Sequence, residues 1–201
     1  MRKNFHRNGI SGGFLLFPAT ILLSILIIVV YIVGMVLFPY NLFIQSPEVL
    51  QLFGENEKIF QGEFYRLFSA MFIHANVVHL VSNVLFLIIF GIRLEELKSA
   101  SLLIFGFIIC GFIGNVASLL WFLLGISMNS VGASGAIFGL LGIISYLVQS
   151  KTKHERRQSL YLLIIFFLIT IGQDTNFVSH LFGLLGGIFV GWVDVNYFSK
   201  K

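Results

Sequence analysis

Cysteine is all but missing from this chain of 201 residues: Cys110 stands alone, so no intrachain disulfide framework exists, and its apolar surroundings make it lipid-facing or core filler. Proline is limited to three positions, and charged residues make up only 11% of the chain. The gaps between charges are more telling than their number. None falls in 14–38, none in 68–92, and none in the 52 residues from 99 to 150. With 57% hydrophobic residues and a mean hydropathy of +0.94, the chain is too apolar for a soluble domain of this size. A span needs ~20 apolar residues. The uncharged runs therefore predict an all-α polytopic membrane protein with six spans, at about 14–38, 68–92, 99–126, 133–150, 158–172 and 177–194.

What charge there is lies between the spans. Arg2, Lys3 and Arg7 form a basic tail over 1–13 with no small-residue cleavage site behind it, which argues against a removable signal peptide. With that tail on the cytoplasmic side, eleven of the 13 Lys and Arg residues fall on the same side, and only Lys58 and Arg66 lie opposite. This asymmetry predicts cytoplasmic N- and C-termini. It also explains the pI near 9.3 without nucleic acid, and no nucleic-acid partner is expected. The polar stretch 39–66 mixes acidic residues with Phe53, Ile59, Phe60, Phe64 and Tyr65, as an interfacial loop with short amphipathic helices would. Residues 14–197 read as one six-span domain, whose fifth span is short. That span and the turn Gln173–Asn176 are a candidate gate for lateral entry from lipid.

Three stretches carry chemistry. In Val131-Gly-Ala-Ser-Gly-Ala-Ile-Phe-Gly-Leu-Leu141, Ser134 follows the polar loop Ser127–Ser130 and opens an apolar run. That places its hydroxyl in the first turn of a helix, beside free N–H groups and the positive dipole end, where attack creating an oxyanion is favoured. The alternative is a small-residue packing face at Gly135 and Gly139 with a backbone-bonded serine. In the second stretch, His180 is followed by Gly183, Gly187 and Gly191, a groove that another helix can approach closely. Gly135, Gly139 and Gly142 provide the matching face, so Ser134 and His180 form a candidate nucleophile–base pair. In the third, His79 and Asn83 lie one turn apart on one helical face and are candidate oxyanion donors. A polar helix–helix hydrogen bond is the alternative for them. His74 does not share that face and is expected at the mouth of the site, organising a loop.

These stretches resemble the rhomboid family of intramembrane serine proteases, over Gly54 to about Asp194. The similar elements come in family order: Gly62-Glu63 with Arg66; His74, His79 and Asn83; Gly91-x3-Glu95; Gly111-x2-Gly114-Asn115; Gly132-Ala133-Ser134-Gly135; and His180-x2-Gly183-x3-Gly187. The resemblance implies a rhomboid-type six-helix bundle, Ser134 as nucleophile and His180 as base with no acidic third member. It further implies Asn83, His79 and the Ser134 N–H at the oxyanion, and Phe138 as the ring stacked on the base. The sequence agrees on the missing acid: Asp194 lies 14 residues beyond His180, ~21 Å along a helix, and Asp174 falls in the preceding turn. Tyr65 stands where many members have Trp, and Phe138 where some have Tyr; each keeps an aromatic surface.

The expected activity is hydrolysis of single-span membrane proteins near the outer membrane face, through an acyl-enzyme on Ser134, in a prokaryotic cell membrane. Expected partners are transmembrane substrates and the bilayer. No cofactor is implied, and no metal site, because no acidic or thiol ligand accompanies the histidines. A rhomboid-like pseudoprotease that binds transmembrane clients without cutting them is the alternative; such relatives lack the Ser or the His. A channel or transporter would need a charged residue within a span, which the uncharged runs do not contain.

Overall fold

The computed structural model describes residues 17–41, 43–54, 56–125, 131–150, 152–169 and 176–198. The basic tail 1–13, the loop Ser127–Ser130, and Gln173, Asp174 and Thr175 of the candidate gate lie outside the described residues. The described chain is helical: α1 (Pro18–Leu37), α2 (Pro47–Gly54), α3 (Asn56–Phe60), α4 (Arg66–Ser69), α5 (Val77–Leu97), α6 (Ala100–Leu123), α7 (Ser134–Leu147), α8 (Lys153–Ile169) and α9 (Phe177–Val193), which runs on into a π-helical turn, Asp194–Phe198. Among the described residues β-structure is limited to a bridge between Ile44 and Asn76.

Among those residues four helices are long and apolar enough to cross a membrane: Pro18–Leu37, Val77–Leu97, Ala100–Leu123 and Phe177–Phe198. By that measure the six-span count is not reached. α7 has only 14 residues, and from Gly135 through Ile144 every one is buried. It is surrounded by protein, with α5, α6 and α9 packed around it, so its length is not set by the bilayer. α8 starts at Lys153, taking in basic residues that hydropathy places in a loop, because Lys, Glu, Arg and Gln are good helix formers.

α5 begins at Val77 and not near Phe68. The apolar residues before it form α4 and a 3-10 turn, Ala70–Phe72, held from outside the segment by Asn115 of α6, whose amide donates to the Leu67 carbonyl (2.9 Å). Asn76 then caps α5, its side chain accepting from the His79 N–H (2.8 Å). At its other end α5 continues to Leu97, so Arg93, Glu95 and Glu96 ride on the helix.

Two devices place the helices. α1 buries one stripe, Ala19, Leu23, Ile27, Tyr31 and Gly34, against α5. Its first turn is capped from a distance: the Glu95 carboxylate accepts from the Thr20 N–H (2.8 Å) and hydroxyl (2.6 Å), a negative charge at a helix N-terminus. Gly91 leaves the room; a methyl group there would stand 2.6 Å from Thr20 Oγ1.

The second device joins α7 to α9. A methyl group on Gly183 would fall on the Gly135 carbonyl oxygen, and one on Gly187 on the Gly139 carbonyl oxygen. The two backbones touch with no side chain between them. Cys110 is buried, its side chain against Gly139, and so is core filler.

Gly187→Ala is therefore expected to lower stability by about 1–3 kcal/mol, the usual cost of overpacking a tight contact. Thermal unfolding in detergent measures it, and an unchanged midpoint would mean that α7 and α9 have space to spare.

Candidate functional site

Ser134 is the first residue of α7, where the N–H groups of the opening turn have no intrahelical acceptor. The preceding loop is held in place from two sides. Gly132, at φ +108°, donates its N–H to the Ala70 carbonyl (2.8 Å). The Ala133 N–H donates to His74 Nε2 (3.4 Å).

Gly132 is where glycine is required twice over. Its φ is disfavoured for other residues, and a methyl group would stand 2.6 Å from the His79 ring. His74 is fully buried, and its Nδ1 lies 3.3 Å from the Phe72 carbonyl. One neutral tautomer satisfies both contacts, Nδ1–H donating to Phe72 and Nε2 accepting from Ala133. The imidazole thus fixes the backbone next to Ser134 from below.

His180 enters from α9. Its Nε2 lies 2.7 Å from Ser134 Oγ, and its ring stacks on Phe138, one turn further along α7, with centroids 4.5 Å apart and an interplanar angle of 27°. Both rings are buried. Phe138 packs in turn on Phe166 of α8 (4.3 Å), which also touches Phe86 and Phe90 of α5.

The orientation of α9 at this end depends on Asn176. Its carbonyl accepts from the His180 N–H (3.2 Å) and its side-chain oxygen from the Ser179 N–H (3.1 Å), while its amide donates to Ser118 Oγ of α6 (2.6 Å). Ser179 is small enough to sit between Gly114 and Gly135. Asn176 was readable only as part of a polar turn, although an Asn directly before an apolar periodic run is a helix-start signal.

Asn83 and His79 share a face of α5, as their spacing predicts, and the Asn83 amide donates to the His79 carbonyl (2.8 Å). That uses one of its two N–H groups. The rings of His74 and His79 meet edge-on at 5.1 Å.

Asp194 lies at the far end of α9, where its carboxylate pairs with Lys98 Nζ (2.5 Å). Among the described residues no carboxylate hydrogen-bonds to His180.

Nearby, the chain between α3 and α4 turns about a buried arginine. Arg66 is 2% exposed; it donates to the Gln51 carbonyl (2.5 Å) and through Nε to Glu63 (2.8 Å), and its guanidinium lies 5.5 Å from the centre of the Tyr65 ring. The adjoining aromatics stack on α6, Phe68 on Phe112 at 5.0 Å and Phe60 on Phe122 at 6.0 Å.

A serine at a helix start thus meets a buried histidine within a bundle of apolar helices. The Rhomboid domain family matches residues 61–197, and the chain belongs to the rhomboid family, whose members are in general intramembrane serine proteases. It is 37% identical over 68% of its length to RHOMBOID-like protein 6, mitochondrial, of Arabidopsis thaliana, covering 46% of that protein. It is 32% identical over 72% of its length to Rhomboid protease GluP of Bacillus subtilis, covering 29% of that protein. To Rhomboid-like protease 2 of Toxoplasma gondii it is 28% identical over 88% of its length, covering 65%. The chain thus spans less than two thirds of the length of each of these relatives. It is an integral membrane protein of this family.

The Arg66 guanidinium, followed by the Tyr65 hydroxyl, holds the Glu63 carboxyl below the usual carboxylate range. A depressed folded-state pKa contributes stability that is present above the unfolded value and lost as pH falls through the folded one. Acidification from about pH 7 to about pH 3 should therefore lower the unfolding temperature more in the parent than in Glu63→Gln, by a small margin because the pair is partly solvated. Parallel pH profiles would show that the contact has no energetic weight.

Proposed function

We propose that this chain is an intramembrane serine endopeptidase that cleaves single-span membrane proteins, with Ser134 as nucleophile and His180 as general base. The observation that carries this reading is the 2.7 Å contact between Ser134 Oγ and His180 Nε2 at the N-terminus of α7. Ser134 Oγ attacks the scissile carbonyl carbon while His180 Nε2 takes the hydroxyl proton. As the tetrahedral intermediate collapses, the C–N bond breaks and His180 returns that proton to the leaving amine. Water, deprotonated by His180, then attacks the acyl-Ser134 ester; the acyl–Oγ bond breaks, His180 returns the proton to Ser134 Oγ, and the acid product leaves.

Developing negative charge on the carbonyl oxygen falls beside the free N–H groups of the first turn of α7, the Ser134 N–H among them. Asn83, with its second amide N–H, and the His79 ring complete the donor set. His74 and Gly132 act on the backbone that aims Ser134, and Phe138 holds the plane of the base by stacking on it. A dyad suffices in this reading, since Asp194 is committed to Lys98 at the opposite end of α9.

The same proposal includes the topology. α7 and α8 are the two short members of a six-span bundle over 14–197, with the basic ends of the helices cytoplasmic. The charge asymmetry supports this orientation. Ser134 and His180 then face the outer half of the membrane, in a water-filled depression that polar groups at depth require. Substrate enters sideways past α8, which reaches the site through the buried ring of Phe166.

Purified protein in liposomes should cleave a reporter transmembrane segment, and Ser134→Ala and His180→Ala should each abolish cleavage while leaving the protein folded. The double variant should lose no more than either single one, because the two side chains act as a unit. A Ser134→Ala form that keeps most of the parental activity would overturn the assignment. A parent protein that binds the segment but never cuts it would establish the alternative, a pseudoprotease.

Asn83 separates catalysis from packing. As an oxyanion donor, Asn83→Ala should lower kcat by roughly 10²- to 10³-fold with little change in KM, since the charge it meets exists only in the transition state. As a helix-positioning group, it should instead cost ~0.6 to 2 kcal/mol of stability and leave the turnover of folded enzyme near normal. Unfolding in detergent and kcat per titrated active site, on one preparation, distinguish the two.

A further inference from the structure

Where α9 begins, α6 meets it at two successive levels. Gly114 and Ser118 of α6 are both buried and stand one turn apart on one helical face. Gly114 is a notch that receives Ser179: a methyl group on it would stand 2.7 Å from the Ser179 carbonyl oxygen and equally close to its hydroxyl. Ser118 is a hook, its Oγ accepting the Asn176 amide at 2.6 Å. The pairs Ser118–Asn176 and Gly114–Ser179 run in opposite chain directions, so one turn of α6 is matched to the opening turn of α9. None of the sequence motifs described above includes Ser118.

On the proteolytic reading given above, on which this rests, we infer that Ser118 is a positioning residue for the base: through Asn176 it fixes the height of α9 at which His180 Nε2 meets Ser134 Oγ. The glycine contact sets how near α7 and α9 lie, but it interlocks no side chains, and interlocked side chains are what hold two helices in register. The stack on Phe138 sets the plane of the imidazole, and a ring can slide within that plane without losing the stack. A hydrogen bond is less forgiving of displacement. The hook on α6 supplies the missing coordinate. Asn176 stands one turn before His180 and its carbonyl accepts the His180 N–H (3.2 Å), so a shift at Asn176 is passed directly to the base. Asn176 thus has two separable tasks. Its side-chain oxygen caps α9 at the Ser179 N–H, which stabilises the helix; its amide reaches Ser118, which aims it.

Two readouts on the full chain in detergent test this: kcat and KM per titrated active site, and NMR of the imidazole nitrogens after histidine labelling. The difference in the His180 Nε2 resonance between the parent and Ser134→Ala marks the contact with the hydroxyl, whether or not the chain cuts peptide bonds. Ser118→Ala should move that resonance toward its position in Ser134→Ala and lower kcat by roughly 10- to 10²-fold, as misplacement of a catalytic group does, with KM little changed. Asn176→Ser keeps a capping oxygen but ends short of Ser118, and should do the same; it carries the test if Ser118→Ala fails to fold. Asn176→Asp, able to accept from both the Ser179 N–H and the Ser118 hydroxyl, should retain most of the turnover. An unmoved resonance or an unchanged kcat in Ser118→Ala and Asn176→Ser would overturn the assignment, even if both unfold at lower temperature, and so would equal losses in Asn176→Ser and Asn176→Asp. A parent that never cuts, with resonances that still respond, would refute the proteolytic reading and leave the positioning in place.

Discussion

The structure depends on a contact between two backbones. At Gly135 with Gly183, and at Gly139 with Gly187, α7 and α9 approach until carbonyl oxygens lie where a methyl group would have to be. Lipid tails are as apolar as leucine, so apolar side chains alone give helices in a bilayer little reason to prefer each other over lipid. Close van der Waals packing supplies the preference. The same contact has a positional effect, because Ser134 directly precedes Gly135 and His180 stands one turn before Gly183. Holding two short side chains 2.7 Å apart requires that their helices not be wedged open by anything larger than a hydrogen atom.

Polar ties then define what the glycines only bring close. Asn176 fixes the start of α9 to Ser118 of α6, and His74 fixes the loop before α7, so the serine and the histidine are each supported from a different neighbour. Each tie places a polar group against another polar group within a low-dielectric interior, where an unsatisfied partner is costly. α7, α9 and α6 are bound through backbone contacts and hydrogen bonds, whereas α8 meets the site through the stacked ring of Phe166.

Much of this was legible in the sequence, for identifiable reasons. The uncharged runs mark helices that meet lipid, and the four-residue glycine spacing marks where two of them meet; together these anticipate the approach of Ser134 and His180. Apolarity cannot distinguish lipid from protein surroundings, which is why α7 reads as an ordinary span although it is short and buried throughout Gly135 to Ile144. Residues 68–72 belong to an uncharged run that reads as a span, yet turn short because Asn115 and the Arg66 network hold the neighbouring chain from elsewhere. Glu95 read as a charge closing a span. Its role as the cap of α1 depends on Thr20, 75 residues away, and on the space left by Gly91, which no local pattern encodes.

The enclosure of α7 has a mechanical consequence. A helix that faces lipid must match the thickness of the hydrocarbon around it, by tilting, kinking or deforming the bilayer. α7 has no such face, so the height of its first residue is referenced to α5, α6 and α9 and not to the headgroups. In a thinner or thicker membrane the adjustment falls first on the helices that expose apolar side chains, α1, α5, α6 and α9 among them, and reaches α7 only through their contacts with it.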